Sequence, residues 1–171
     1  MAITYEPVPD EVRESVYRVM RECHTELTNA EVTVHGLFAR DYDKETDEPI
    51  QAVKRAGYPA VAKISVTSLA DRARGIADAK LVIDAFSWEL LGEAQRLALI
   101  DHELEHLVLR VDDETGEVKR DDLGRPKLGT RCHDFELGFF AAVVERRGRA
   151  AIEASEAVAF VKTHGHLLGI C

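Results

Sequence analysis

The string His102-Glu103-Leu104-Glu105-His106 sets two imidazoles four residues apart, with a carboxylate directly after the first. This order fits H-E-x-x-H, in which two histidines hold a metal ion and the glutamate works on the water beside it. On a helix of 3.6 residues per turn the two histidines stand about 40° apart, so both rings reach one ion from the same side. Glu103 points about 100° away from His102, near an open coordination position without being a ligand itself. In a chain of 171 residues with 7 His, a chance match has a probability of roughly 3 %. The blander reading makes His102 and His106 hydrogen-bonded core histidines with Glu103 as their partner.

A catalytic zinc takes three protein ligands and leaves one position to water, so one more ligand is required. The metzincin pattern would need Gly at 109 and His at 112, where this chain has Leu109 and Asp112. The remaining candidates are His133, Asp134, Glu136 and Glu114, with His164 and His166 further on and Cys132 as a thiolate alternative. His133 is preferred, because it opens a helical pattern whose apolar face must pack on the same core as the motif helix, and imidazole suits zinc. Asp134 then serves as a cap or as an acceptor behind the ligand. His164 and His166 stay as candidates for binding a transition-state oxyanion. Glu105 reads equally as a partner behind the ligands, a salt bridge or a surface residue.

The motif needs a helix to hold it, and the surrounding residues predict one. Ser87 before Trp88, or Gly92 before Glu93, opens a helix that runs to about Leu107. Leu97, Ile100, Leu104 and Leu107 form one apolar row, while Ala98, Asp101, His102, Glu105 and His106 share a neighbouring face. Nearly apolar otherwise, this helix is expected to pack into the interior, where ionisable groups are costly unless paired or metal-bound. Upstream, Val12, Val16, Val19, Met20, Cys23 and Leu27 mark an amphipathic helix between Pro9 and Asn29. Strands are expected over Glu31–Ala39, Tyr58–Thr67 and Lys80–Phe86, with a solvated acidic loop over Asp41–Glu48. Val108–Val111 and Glu117–Lys119 suggest a hairpin around Asp112–Gly116, followed by a loop through Gly124, Pro126 and Gly129. Two helical patterns close the chain, one from His133 through Leu137, Phe140 and Val144, one through Ala151, Ala154, Val158 and Val161. The order α, β, β, β, α, hairpin, α, α predicts an α+β fold, a small sheet packed on the motif helix, as a single domain over residues 1–171.

Composition bounds the partners. No apolar run reaches the roughly 18 to 20 residues of a membrane span, and no signal pattern opens the chain. Three scattered cysteines, Cys23, Cys132 and Cys171, predict free thiols in a reducing cytoplasm. A net charge of −9 lacks the cationic excess that phosphate-backbone binding uses, so nucleic acid is a disfavoured partner. Arg146, Arg147 and Arg149 are the one basic cluster, and they read as a solvated helix end.

Trp88, Ala94–Leu107 with the HELEH string, and His133-Asp134-Phe135-Glu136 together resemble the phage metallopeptidase family, over about Val53 to Val144. More broadly the pattern is similar in scale to SprT-like and ImmA/IrrE-type domains, minimal zincins in which an HExxH helix packs under a small sheet. The resemblance implies a phage or prophage origin, hence a host cytoplasm, zinc on His102, His106 and His133, and Glu103 as general base. A peptide or protein substrate follows from it. The competing reading is a non-catalytic zinc-binding protein that regulates or engages a host factor. Glu103 argues against that, since structural zinc sites are usually four-ligand and need no base.

Overall fold

A computed structural model of the chain describes residues 2–55, 57–132 and 157–163. In chain order its elements are β1 (Thr4–Pro7), α1 (Asp10–Cys23), α2 (Thr25–Asn29), β2 (Val34–Tyr42), β3 (Pro49–Ile50), β4 (Lys54–Arg55) and β5 (Tyr58–Pro59). Then follow β6 (Ala62–Val66), α3 (Leu69–Ala73), β7 (Ala79–Asp84), α4 (Ala85–Leu90), α5 (Glu93–Glu105), β8 (Leu107–Leu109) and β9 (Leu128–Thr130). The chain divides into two compact units, residues 1–132 and 133–171. Within the second, residues 157–163 are helical, in keeping with the last apolar pattern of the sequence. The first is an α+β unit, as expected.

Its sheet runs β1-β2-β7-β6, with the short β3 on the far end of β2. β7 lies parallel to β2 and antiparallel to β6, so the sheet is mixed. The apolar run Leu81-Val82-Ile83 is continuous because β7 is covered on both faces. Leu81 and Ile83 enter the main core with α1 and α5, and Val82 joins Ala39, Ala52 and Val53 on the other face. Burying a side chain of the Leu or Ile kind stabilises the fold by about 1.5 to 3 kcal/mol.

The amphipathic stripe of the first helix is found, with a correction. Val12, Val16, Val19, Met20 and Leu27 are buried, but Cys23 is exposed and the helix breaks at His24, which has φ −124° and ψ 59°. The break turns His24 inward in place of Cys23, leaving it 3 % exposed. The strand expected over Glu31–Ala39 begins later, at Val34, because Glu31 takes the left-handed conformation at φ 60° and ends the preceding turn.

The helix leading to the motif is two helices, α4 and α5, joined at Gly92. Asp84, not Ser87, caps α4: its Oδ1 accepts the Ser87 amide at 2.8 Å. Its Oδ2 accepts the amides of Ala52 at 2.6 Å and Val53 at 3.2 Å, tying the approach to the β4–β5 hairpin onto the end of β7. Such a wholly buried carboxylate is tolerated because its charge is met by these donors. Arg96 of α5 stacks over the Trp88 ring at 5.1 Å and donates to the Trp88 carbonyl at 3.2 Å, which fixes the start of α5 against α4.

α5 is a surface helix with one buried face rather than a helix enclosed all round. Ile100, Glu103 and Leu104 are buried, whereas Glu93, Ala94 and Gln95 are exposed. The turn at Asp112–Gly116 forms as expected: Asp112 Oδ1 accepts the amides of Glu114 and Thr115, and Val111 bridges Val118. The stretch read as a loop after it contains β9, which pairs antiparallel with β8 through Leu107↔Thr130 and Leu109↔Leu128.

Candidate metal centre

Ile100 and Leu104 are fully buried and hold α5 in the core, which sets the rotation of the residues between and after them. Glu103 is therefore carried inward, 4 % exposed, while His102 stays at the surface. α5 ends at Glu105, yet His106, its C-cap, keeps helical φ −69° and ψ −21°. The four-residue spacing is thus geometrically intact. Donor atoms of His102, Glu103 and His106 all lie within 4.8 Å of one another, and the two imidazoles meet edge to face with centroids 5.2 Å apart.

His106 is oriented by residues far away in sequence. Its Nδ1–H donates to the carbonyl of Arg131 at 2.8 Å, and the Arg131 amide donates back to the His106 carbonyl at 2.9 Å. The amide bond continues the β8–β9 ladder by one main-chain link, and the ring supplies the other in place of the His106 amide, which is bonded to the Glu103 carbonyl. Because a carbonyl can only accept, Nδ1 carries the proton and the lone pair is on Nε2. The Arg131 side chain adds a bond from Nε to the Glu105 carbonyl at 2.9 Å and an ion pair with the Glu105 carboxylate. The same Glu105 carboxylate also faces buried His24, whose Nδ1 lies 3.7 Å from Glu105 Oε2 and whose Nε2 lies 2.8 Å from Asp101 Oδ1.

Arg55, from the β4–β5 hairpin, reaches the same centre, with Nη1 3.2 Å from His106 Nε2. His102 is held below the ordinary histidine range, first by the protein packed around its inner edge and then by His106 and Arg55, against an opposite pull from Asp101. Although one face of the ring meets solvent, both effects favour the neutral form that can donate a lone pair.

The donor set suits a divalent metal ion. Two imidazoles and a carboxylate converge, and one imidazole is held in the Nε2-basic tautomer by a backbone carbonyl, the usual support behind a metal-binding histidine. Among the described residues this cluster contains neither Glu114 nor Cys132, both exposed. The expected third ligand His133, with Asp134, Glu136, His164 and His166, lies outside the described residues. Sequence reasoning did not single out His24, Arg55 or Arg131. Glu105, left open there, is an ion-pair partner of Arg131.

Among the described residues no helix is long and apolar enough to cross a membrane. A family described as "Putative phage metallopeptidase" matches residues 3–163, a wider span than the residues that carried the resemblance. No curated protein and no solved structure gave a significant match.

Proposed function

The chain belongs to the putative phage metallopeptidase family, and on that premise we propose that it is a zinc-dependent peptidase built on His102, His106 and Glu103. The observation that carries this reading is the convergence of these three side chains, with the His106 tautomer fixed by Arg131. Zinc would be held by His102, His106 and, as third ligand, His133. His133 follows two residues after Arg131, whose backbone is bonded twice to His106.

Bound zinc would supply Lewis acidity, lowering the pKa of a ligated water toward about 7 and polarising the scissile carbonyl. Glu103 takes the proton from the attacking water as its oxygen bonds to the carbonyl carbon. It then delivers that proton to the leaving nitrogen as the C–N bond breaks. Glu103 is suited to this because it comes from the buried face of α5, where its position is set by Ile100 and Leu104 rather than by solvent. The substrate is a peptide or protein, and a phage or prophage origin would place the activity in a host cytoplasm.

The test is the metal content of purified wild type, His102→Ala and His133→Ala, prepared without chelator and measured by mass spectrometry. One zinc per chain in wild type, lost in both variants, is the expected result. A wild type that stays metal-free after zinc addition would remove the metallopeptidase reading.

A further inference from the structure

His106 Nε2 has one lone pair, and Arg55 occupies it. With Nδ1 committed as a donor to the Arg131 carbonyl, Nε2 is the acceptor, and a guanidinium can only donate. A metal ion on His106 needs that same lone pair. The two occupants are both cationic, so they exclude each other by bonding and by charge.

Nor is the Arg55 guanidinium committed to a carboxylate among the described residues. It is exposed, and its hairpin is short, turning at Gly57 with φ +87°. The base of that hairpin is fixed, because the Ala52 and Val53 amides are bonded to Asp84 and the Ala60 amide donates to the Val53 carbonyl at 3.0 Å. A guanidinium displaced from His106 therefore remains tethered beside the centre, with its planar fork of donors unused.

We propose that Arg55 competes with the metal ion for His106 and, once displaced, is the residue that receives a substrate carboxylate next to the scissile bond. This rests on the metal-centre reading above and adds a substrate class to it: peptides with an acidic side chain or a free C-terminal carboxylate at that position. Arg55 is the specificity residue, and the metal ion uncovers it.

Two measurements on the full chain decide it. The first is zinc affinity by competition with a chromophoric chelator, for wild type, Arg55→Ala and Arg55→Lys. Loss of one competing hydrogen bond should tighten zinc binding about 3- to 10-fold in Arg55→Ala. Equal or weaker binding there, with wild type still taking up zinc, overturns the competition while leaving the metal centre in place; no uptake by wild type would instead sink the centre itself. The second titrates cobalt-substituted protein, followed by its visible spectrum, with three probes: N-acetylglutamine, N-acetylglutamic acid α-amide and N-acetylglutaminamide. One of the two carboxylate probes should bind wild type at least several-fold tighter than Arg55→Ala, and which one it is separates a C-terminal from a side-chain carboxylate. The uncharged probe should not distinguish the proteins. Identical responses of wild type and Arg55→Ala to all three probes would overturn the recognition role.

Discussion

His106 and Arg131 exchange two hydrogen bonds, the imidazole Nδ1–H to the Arg131 carbonyl at 2.8 Å and the Arg131 amide to the His106 carbonyl at 2.9 Å. The orientation of a ring on the end of α5 is thereby set by a residue at the end of β9. Local helix geometry brings the two histidines close, but it does not choose which nitrogen of His106 carries the proton.

Arg131→Ala keeps both backbone bonds and removes the grip on the Glu105 carbonyl and carboxylate. Metal affinity is expected to fall about tenfold, the lower end for residues supporting a ligand from behind. Chelator competition reads it, with unchanged circular dichroism as the control. An unchanged affinity would make the clamp a surface ion pair without consequence for the centre.

Glu103→Gln preserves shape and removes the base. The variant should hold as much zinc as wild type while peptide hydrolysis drops by about 10² to 10⁴-fold. Full activity in that variant would reassign the base.

Asp78 is buried at 1 % exposure and accepts from the Thr33 amide and hydroxyl at 2.8 and 2.7 Å, from Arg125 Nε at 2.8 Å, and from Arg72. Asp78→Ala strips buried Arg72 of one of its two carboxylates, leaving Asp121. A loss of about 3 to 5 kcal/mol in denaturant unfolding is expected, as when one partner of a buried ion pair is removed. A loss under about 1 kcal/mol would show that Asp121 compensates.

The same network makes stability fall in acid. Asp78 and Asp121 are both held below the usual carboxylate range; burial opposes this, and the hydrogen bonds from Thr33 to Asp78 and from the Arg125 and Leu123 amides to Asp121 outweigh it. A group with a lowered folded pKa binds its proton more readily when unfolded. The stability it adds is complete above the unfolded value near 3.9 and disappears as pH drops through the folded one. The melting temperature should therefore decline below about pH 4 in wild type and less steeply in Asp78→Ala.

Gly36 lies inside β2, and a Cβ there would come within 2.6 Å of Val8 Cγ2. Val8 is β-branched and buried, so it cannot swing aside cheaply. Gly36→Ala should destabilise by about 1 to 3 kcal/mol, measured as a shift of the denaturation midpoint. No shift would mean that β1 and the start of α1 move freely relative to β2.

The motif helix was readable because its apolar row at Leu97, Ile100 and Leu104 and its HELEH string follow one period and are local, although Leu107, read into the same row, begins β8. The strand at β7 was equally plain from Leu81-Val82-Ile83. β1 gave no such signal, since all four of its residues are exposed and what holds it among the described residues is its ladder to β2 and the Glu6–Arg40 ion pair across it. β9 was hidden by its brevity and by Gly129, which sits where any Cβ would come within 2.6 Å of the Arg110 guanidinium. Arg55 and Arg131 act through contacts with His106 made across long stretches of chain, which no spacing rule records. His24 did leave a trace. It stands four residues after Met20 and three before Leu27, so the buried stripe could pass through it as readily as through Cys23.

The strand order β1-β2-β7-β6 bears on how the chain reaches this state. β6 and β7 are joined by a short excursion and can pair early, whereas the parallel match of β2 to β7 waits for the entire stretch between Val34 and Ala79 to close. Until it does, one edge of β7 stands open with Leu81, Val82 and Ile83 along it. A chain that pairs β6 with β7 first would expose that edge to a second copy, so recovery on refolding is expected to fall as protein concentration rises, even where the final stability is unchanged.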